Sequence, residues 1–242
     1  MNRLKIIMAG LLLATLSQAQ EIKLLTEEWS PYQMNVSNIQ SGISVDIVNE
    51  IKKRVSHKGE IKFYPWNRGY NMTLKKDGYA LFSTGRTEER EKLFKWVGPL
   101  ADLEFVFFKL KSNKKIYATE DDIKAAKAIS VTKNDAMEQI LTGKGFKNLA
   151  VKSGGTHKAN LNKLLNGKVE LWPSGANVGK YIFKELGIQD KVVAVKAPPF
   201  MKLSLNIAFS KNTDDKIIVK WQNALDEIKS DGTYDKILKK YR

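Results

Sequence analysis

A small-polar loop followed by an arginine is the segment of this chain best suited to specific chemistry. Ser83-Thr84-Gly85 precedes Arg90 by five residues. Such a loop offers backbone N–H groups and hydroxyls, and Arg90 offers a planar, permanently charged fork that can grip a carboxylate at two points. The alternative is a plain surface helix in which Thr87 caps the first turn. The two interpretations differ in whether Arg90 faces a ligand or solvent.

The residues before this loop predict a buried strand, which would place the loop at a ligand-binding edge. Residues 79–82 form a short apolar run, and open α/β sheets bind ligands at the carboxyl ends of their strands. Similar runs alternate with helical stripes, which predicts an α/β fold with parallel-rich sheets and helices on both faces. The other predicted strands are residues 22–25, 61–63, 105–110, 128–131, 149–151, 169–172 and 192–195.

Apolar spacing marks the helices and one further strand. Apolar residues recur at three- to five-residue intervals in segments 43–55 and 161–165. Residues 203–209 alternate with a period of two, and a helix with Trp221 and Leu225 on one face follows. No Pro- or Gly-rich linker interrupts the chain, whose length of about 220 residues after residue 19 suits one large domain or two smaller ones.

Residues 1–19 have the features of a secretory signal peptide. Arg3 and Lys5 precede an apolar run, and Ser17 and Ala19 are the small residues of a cleavage site after Ala19. The apolar run is shorter than the roughly 20 residues that a transmembrane helix needs. The sequence contains no cysteine. We therefore expect a periplasmic protein, exported across the inner membrane, with no lipid anchor and no disulfide.

The net charge of +15 does not by itself indicate a nucleic-acid-binding protein. The chain has 41 Lys and Arg residues against 26 Asp and Glu, and loss of Arg3 and Lys5 with the signal peptide would leave +13. The lysines are scattered singly or in pairs, with no long basic block and no nucleic-acid-binding motif. We interpret the charge as a solvated basic surface and expect no nucleic-acid partner.

The chain carries five short motifs: WSPY at 29–32, GISVDIV at 42–48, RTEER at 86–90, GKVE at 167–170 and DGTYDKI at 231–237. In this order and spacing they resemble the extracellular solute-binding proteins of family 3. The resemblance covers essentially the whole chain after residue 19. It implies the two-lobed periplasmic binding protein fold (type II), with two parallel-rich sheets joined by two hinge strands and a ligand cleft that closes by hinge bending.

The resemblance also divides the chain and suggests its partners. It implies a first lobe of residues 20–105 plus 205–242 and a second lobe of residues 110–200, with crossings near 105–110 and 199–205. We expect a monomer that binds a small polar solute, amino-acid-like or an organic acid, and delivers it to an inner-membrane ABC permease. The alternative is a sensory protein that presents its ligand to a membrane receptor.

Laid over this chain, the family's cleft implies a set of ligand-binding residues. Arg90 would pair with the ligand carboxylate, and residues 83–85 would add hydrogen bonds. Trp29 or Tyr32, together with Trp66, would cover the faces of the ligand. The full set is Trp29, Tyr32, Trp66, Arg68, Ser83, Thr84, Gly85 and Arg90 from the first lobe, and Asn134, Asp135, Trp172 and Ser174 from the second.

Two positions depart from the pattern of the amino-acid-binding members. Gly175 stands where they place the aspartate that holds the ligand's ammonium group, and glycine cannot form that ion pair. Asp135, followed by Glu138, predicts a capping box that fills this helix end with the protein's own carboxylate. The ligand therefore stays open between an organic acid or modified amino acid held by Arg90 and a cationic or peptide-like solute held by Asp135, Glu28 and the tryptophans.

The residue types give little support to enzymatic chemistry. His57 and His157 are the only histidines and the chain has no cysteine, so neither a zinc site nor a Cys/His nucleophile pair is expected. Gly154-Gly155 lacks the further glycines and lysine of a phosphate loop and predicts a turn. We expect no catalytic residue, cofactor or metal. The enzymatic alternative is a dehydratase of the cyclohexadienyl type, which resembles these binding proteins and carries an acid in the cleft.

The two departures predict weak binding of the common amino acids. Without an ammonium partner at Gly175 the site lacks a charge-assisted hydrogen bond of about 1.5–3 kcal/mol, and Asp135 repels a carboxylate placed at its helix end. About 1.4 kcal/mol corresponds to a factor of ten in affinity. None of the twenty common amino acids should therefore bind tighter than about 10 μM in calorimetry. Submicromolar binding of any one of them would contradict this expectation.

Overall fold

The computed structural model describes residues 22–152, 156–197 and 200–241. The predicted signal peptide, the Gly154-Gly155 turn and part of the second predicted crossing lie outside these ranges. Among the described residues, no helix combines the length and the apolar character needed to cross a membrane.

Strands and helices alternate through most of the chain, so the α/β class predicted from the sequence is confirmed. The strands are β1 (Lys23–Thr26), β2 (Met34–Val36), β3 (Ile39–Ser41), β4 (Ile61–Phe63), β5 (Tyr79–Gly85), β6 (Phe94–Leu110), β7 (Ile129–Thr132), β8 (Leu149–Lys152), β9 (Trp172–Gly175), β10 (Val192–Ala194) and β11 (Met201–Ser210). The helices are α1 (Ile43–Val55), α2 (Trp66–Lys75), α3 (Glu88–Glu91), α4 (Glu120–Lys124), α5 (Ala136–Gly143), α6 (His157–Leu165), α7 (Ala176–Glu185), α8 (Asp215–Ser230) and α9 (Thr233–Lys239).

A mixed sheet with the strand order β10-β6-β11-β5-β1-β4 forms the frame of the described residues, and β9 pairs with the far half of β6. Strand β1 pairs in parallel with β4 and β5, and β7 pairs in parallel with β8. The long strands β6 and β11 pair with each other antiparallel, and β9 and β10 add antiparallel pairs to β6. The sheets are therefore less parallel than the sequence predicts, because the two long strands belong to the sheet itself.

Helices cover both faces of the parallel strands. Leu24 and Phe82 belong to a buried cluster that includes residues of α1 and α8, while Leu25 and Leu81 pack on the opposite face with residues of α2. Strands that are buried on both faces have continuous apolar sequences instead of alternating apolar and polar residues. Burial on both faces explains why residues 79–82 are recognisable as a strand from the sequence. It also places the next residues, 83–85, at the edge of the core.

The segment 169–172 differs from its predicted strand. Strand β9 begins at Trp172, and Val169 is buried outside it. Glu170 accepts a hydrogen bond from the backbone N–H of Lys127 at 2.8 Å, which anchors the approach to the strand instead of extending it. Trp172 therefore leads the strand that pairs with β6.

An aromatic cluster holds Trp172 in place beneath the site described below. The ring centroid of Trp172 lies 5.8 Å from that of Phe108 and 6.3 Å from that of Phe183, and all three residues are buried. Gly179 on α7 lies against the Phe108 ring, where an added Cβ would overlap the ring atoms. The glycine thus permits α7 to approach β6 closely.

Replacing this glycine should destabilise the fold. Gly179→Ala forces the Phe108 ring or α7 to move, and overpacking of this kind costs about 1–3 kcal/mol in the free energy of unfolding. The matched control is Gly143→Ala at the end of α5, where an added Cβ meets open space. The control should be neutral or stabilise by up to about 1 kcal/mol. Urea unfolding measures both variants, and equal effects would contradict the packing described here.

Candidate functional site

The ends of three strands meet at a cavity of about 40 Å³. Residues after β1, at the end of β5, and on or just after β7 line it, as expected for a ligand site at the carboxyl ends of strands. An outer pocket of about 330 Å³ adjoins the cavity and shares Trp29 and His157 with it. The cavity is lined by Glu27, Trp29, Trp66, Ser83, Gly85, Arg90, Phe105, Ser130, Asp135, Ala136, Met137, His157, Asn160, Trp172, Pro173, Leu203 and Leu205.

Arg90 is deeply buried at the cavity wall, with 1% of its surface exposed. Its Nη1 donates to the carbonyl of Gly85 at 3.1 Å, and its Nη2 donates to that of Asn134 at 3.0 Å. Its Nε donates to Oε1 of Gln139 at 2.9 Å. Burial lowers the pKa of the guanidinium, and the nearby charge of Asp135 acts in the opposite direction. The alternative interpretation of Arg90 as a surface helix residue is therefore wrong.

The carbonyl oxygen of Asn134 is a shared acceptor in the turn between β7 and α5. It accepts a hydrogen bond from Trp66 Nε1 at 2.7 Å as well as the one from Arg90. The Asn134 side-chain amide donates to Oδ1 of Asn67 at 2.5 Å. Asn134 has φ 63°, a left-handed conformation that asparagine tolerates better than most residues. This backbone conformation accompanies contacts to two residues of α2 and to Arg90.

Residues 83–85, predicted as a loop, form the end of β5, and a β-bulge changes the course of the strand there. The pairing register between β5 and β11 shifts between Asn206 and Ala208, and Ser83 has φ 59°. Bulges redirect side chains and often occur beside binding sites. Ser83 and Gly85 line the cavity, and the Ser83 hydroxyl hydrogen-bonds to Oε1 of Gln33 at 3.0 Å.

Asp135 caps helix α5 from inside the site. Its Oδ1 accepts a hydrogen bond from the backbone N–H of Glu138 at 2.6 Å, and its Oδ2 accepts one from Thr132 at 3.0 Å. The Glu138 carboxylate accepts from the backbone N–H of Asn134 at 3.2 Å, one residue before the position that a capping box requires. Although Asp135 keeps partial exposure, desolvation of its carboxyl group raises its pKa to about 6. The predicted cap by Asp135 is thus present, but the reciprocal half of the predicted capping box is not formed.

Glu27, Trp29 and His157 form a second polar contact across the cavity. The Trp29 and His157 rings are stacked, with centroids 4.7 Å apart and planes within 9°. The Nε2 atom of His157 lies 3.7 Å from Oε1 of Glu27, beyond hydrogen-bond distance. Glu27 is 8% exposed, and within the described part of the chain its carboxylate has no hydrogen-bond partner. Glu27 is therefore a largely buried acid without a direct donor.

The structure gathers most of the predicted ligand-binding residues around one cavity. Those that line it are Trp29, Trp66, Ser83, Gly85, Arg90, Asp135 and Trp172. Those that do not line it are Tyr32, Arg68, Thr84, Asn134 and Ser174. A contact with ligand remains a prediction for the first group.

Thr84 and Arg68 point away from the cavity for local reasons. Side chains alternate along a strand, so Thr84 faces away when Ser83 and Gly85 face inward, and its hydroxyl donates to the carbonyl of Leu81 at 2.8 Å. Arg68 is exposed on α2, with its guanidinium carbon 4.3 Å from the centroid of the Tyr64 ring. Helix α2 therefore brings Trp66 to the cavity but not Arg68.

Tyr32 and Ser174 are core residues, and Asn134 acts through its backbone carbonyl. Burial, followed by the charges of Tyr234 and Asp102, raises the pKa of Tyr32 to about 12. Ser174 is fully buried on β9, where it pairs with β6. Asn134 contributes its carbonyl to Arg90 and Trp66 instead of presenting its side chain to the cavity.

Sequence reasoning missed four polar lining residues: Glu27, Ser130, His157 and Asn160. Glu27 directly follows β1, and the end of a parallel strand is itself the signal that could have found it. Glu28, which the sequence suggested for a cationic solute, is exposed and lines the outer pocket instead. Of the residues that the structure describes, no cluster of His, Asp or Glu is arranged to hold a metal ion.

Comparison with known proteins identifies relatives over nearly the whole described chain. The family model for bacterial extracellular solute-binding proteins, family 3, matches residues 22–242. A probable histidine-binding protein of Campylobacter jejuni subsp. jejuni serotype O:2 (strain ATCC 700819 / NCTC 11168) is 25% identical over 216 residues, covering 88% of this chain and 81% of that protein.

Solved structures show the same fold. An ancestral arginine-binding protein bound to arginine has a TM-score of 0.79 at 23% identity, covering 92% of this chain and 98% of that one. A histidine kinase sensor domain with similarity to periplasmic binding proteins has a TM-score of 0.80 at 17% identity, covering 92% of this chain and 96% of that one. These likenesses confirm the two-lobed periplasmic binding protein fold, while the lobe boundaries stay predictions.

The contacts of Arg90 predict that its replacement destabilises the free protein. Arg90→Ala leaves the buried carbonyl of Gly85 without this donor, which should lower the free energy of unfolding by about 1–3 kcal/mol. The matched control is Arg86→Ala, which breaks an exposed ion pair with Glu91 and should cost less than about 1 kcal/mol. Urea unfolding without added ligand compares the two. Equal stability of Arg90→Ala and the unaltered protein would show that the buried contacts contribute nothing.

Proposed function

The chain belongs to the bacterial extracellular solute-binding proteins, family 3, and from this premise we propose that it captures a small polar solute between its two lobes. Binding takes place in the periplasm, and the protein delivers the solute to an inner-membrane ABC permease. The observation that carries the proposal is the cavity, whose charged and aromatic lining comes from both predicted lobes. Glu27, Trp29 and Arg90 belong to the first lobe, and Asp135 and Trp172 belong to the second.

The contacts across the cavity support a cleft that closes. Trp66 and Arg90 of the first predicted lobe donate to the Asn134 carbonyl of the second. Trp29 of the first lobe stacks on His157 of the second. Each contact would have to break for the lobes to separate, so we infer that the described conformation is the closed one. A ligand that binds only this conformation shifts the population towards it.

A binding role agrees with the relatives better than a catalytic one. The Campylobacter jejuni relative is named as a probable histidine-binding protein, and a Bacillus subtilis (strain 168) relative is named as a probable amino-acid-binding protein. Both names support an amino-acid-like solute. The likeness to a histidine kinase sensor domain is one of fold, and it leaves a membrane receptor as the second candidate for the partner.

Closure can be tested in solution. The probe is the strongest hit of a thermal-shift panel of amino acids, amines, organic acids and short peptides. Small-angle scattering of the unaltered protein should show a smaller radius of gyration with this hit than without it.

The variant Trp66→Phe keeps an aromatic ring, although a smaller one, and removes the Nε1 donor to the Asn134 carbonyl. It should enlarge the radius of the free protein and weaken binding of the same hit. Tyr64→Phe, two residues before Trp66 and outside the lining of the cavity, is the matched control and should change neither quantity. An identical radius with and without a confirmed ligand would contradict the hinge.

A further inference from the structure

The inference concerns the chemical class of the solute and rests on the proposed function. Arg90 is the expected partner of a ligand carboxylate, yet its Nε, Nη1 and Nη2 atoms each donate to a protein oxygen. The charge of Asp135 also acts on Arg90 and stabilises its charged form. Three of the five N–H groups of Arg90 are therefore used by the protein, and a ligand carboxylate at the remaining two would approach the like charge of Asp135.

Two other places where an anion could bind are also filled. The amide at the start of α5 that would receive a carboxylate donates to Asp135 instead. Ser83, near the end of β5, has its hydroxyl paired with Gln33. The strand end and helix end that suit a carboxylate in principle are thus occupied by the protein itself.

Within the part of the chain that the structure describes, two residues that line the cavity, Glu27 and Asn160, have unpartnered acceptor oxygens, and the Nε1 atom of Trp29 is an unpartnered donor beside them. Glu27 is largely buried and has no hydrogen-bond donor among the described residues. Asn160, 2% exposed, uses its amide nitrogen on Thr132, while its Oδ1 has no partner in the described ranges. Both residues line the cavity, and a buried acceptor without a donor is costly. A ligand with N–H donors would satisfy these two acceptors.

The charge and the aromatic lining favour the same kind of ligand. Arg90 and Asp135 offset each other, so Glu27 leaves the cavity with an excess negative charge when His157 is neutral. Trp29 and Trp66 also line the cavity, and indole rings attract cations through their faces. A cation carrying several N–H donors would satisfy both the charge and the acceptors.

We propose that the site selects its solute by a positive charge held at Glu27 and Asn160, and that it forms no ion pair with an α-carboxylate. The solute class is then amines or guanidines rather than zwitterionic amino acids. Arg90 acts as an internal cross-link between the segments that form the cavity, and the ligand does not engage its guanidinium.

Matched pairs that differ only by the α-carboxylate test the proposal. The probes are arginine with agmatine, lysine with cadaverine, and histidine with histamine, measured by calorimetry at pH 8, where histidine side chains are generally uncharged. At least one amine should bind, and at least tenfold more tightly than its amino acid. Tighter binding of the amino acid in every pair that binds would overturn the proposal.

The outcomes separate this inference from the proposed function. Binding of an amino acid, organic acid or peptide without binding of any amine sinks the inference and leaves the solute-binding function intact. Absence of binding for every member of the wider panel contradicts the proposed function as well.

Substitution of Glu27 supplies the second test. Glu27→Gln keeps the size of the side chain and removes its charge, and it should weaken binding of the best amine at least tenfold. Glu88→Gln removes the same charge at an exposed position outside the cavity and should leave the affinity unchanged. Glu27→Asp retains the charge and should keep part of the affinity, which guards against a loss caused by misfolding. Equal affinities of Glu27→Gln and Glu88→Gln for the amine would overturn the proposal.

Discussion

The buried guanidinium of Arg90 is the constraint on which the site depends. A charge removed from water costs several kcal/mol unless oxygens are fixed around it. Here the oxygens come from Gly85, Asn134 and Gln139, on chain segments far apart in sequence. In the closed conformation, satisfying this one charge therefore holds the end of β5 and the turn after β7 in fixed positions relative to each other.

This requirement gives a reason for the unusual backbone near Arg90. Ser83 and Asn134 both have positive φ, which is uncommon for residues other than glycine. Such conformations cost free energy and persist where the surroundings over-determine them. One acceptor carbonyl belongs to Asn134 itself and the other to Gly85, two residues after Ser83, so the local cost accompanies acceptors that bind the charge. The irregular backbone at Ser83 and Asn134 therefore accompanies the burial of Arg90.

The elements were largely predictable because their signals are local. The helix predicted from the apolar spacing of residues 43–55 is α1, and its apolar residues are buried. The strand predicted at residues 61–63 is β4. The pairing of β6 with β11 was not predictable from a local pattern, since it joins segments about a hundred residues apart. The same limit explains the site. The sequence drew attention to Ser83, Gly85 and Arg90, which line the cavity. Two of the partners of Arg90, Asn134 and Gln139, lie on a distant segment, and nothing in a single sequence shows that they accept its hydrogen bonds.

Glu27 and Glu28 are adjacent acids, but they differ in whether they can bind a ligand inside the cavity. Both are acids at the end of β1, and composition cannot rank them. The chain turns after Thr26 so that Glu27 is enclosed and Glu28 stays exposed. An enclosed carboxylate without a donor is stabilised when a positively charged group binds to it, whereas an exposed carboxylate is already hydrogen-bonded to water. Family membership fixes the fold, but the proposed ligand class follows from which charges the protein leaves unpaired. In this chain the arginine is paired internally and the glutamate is not.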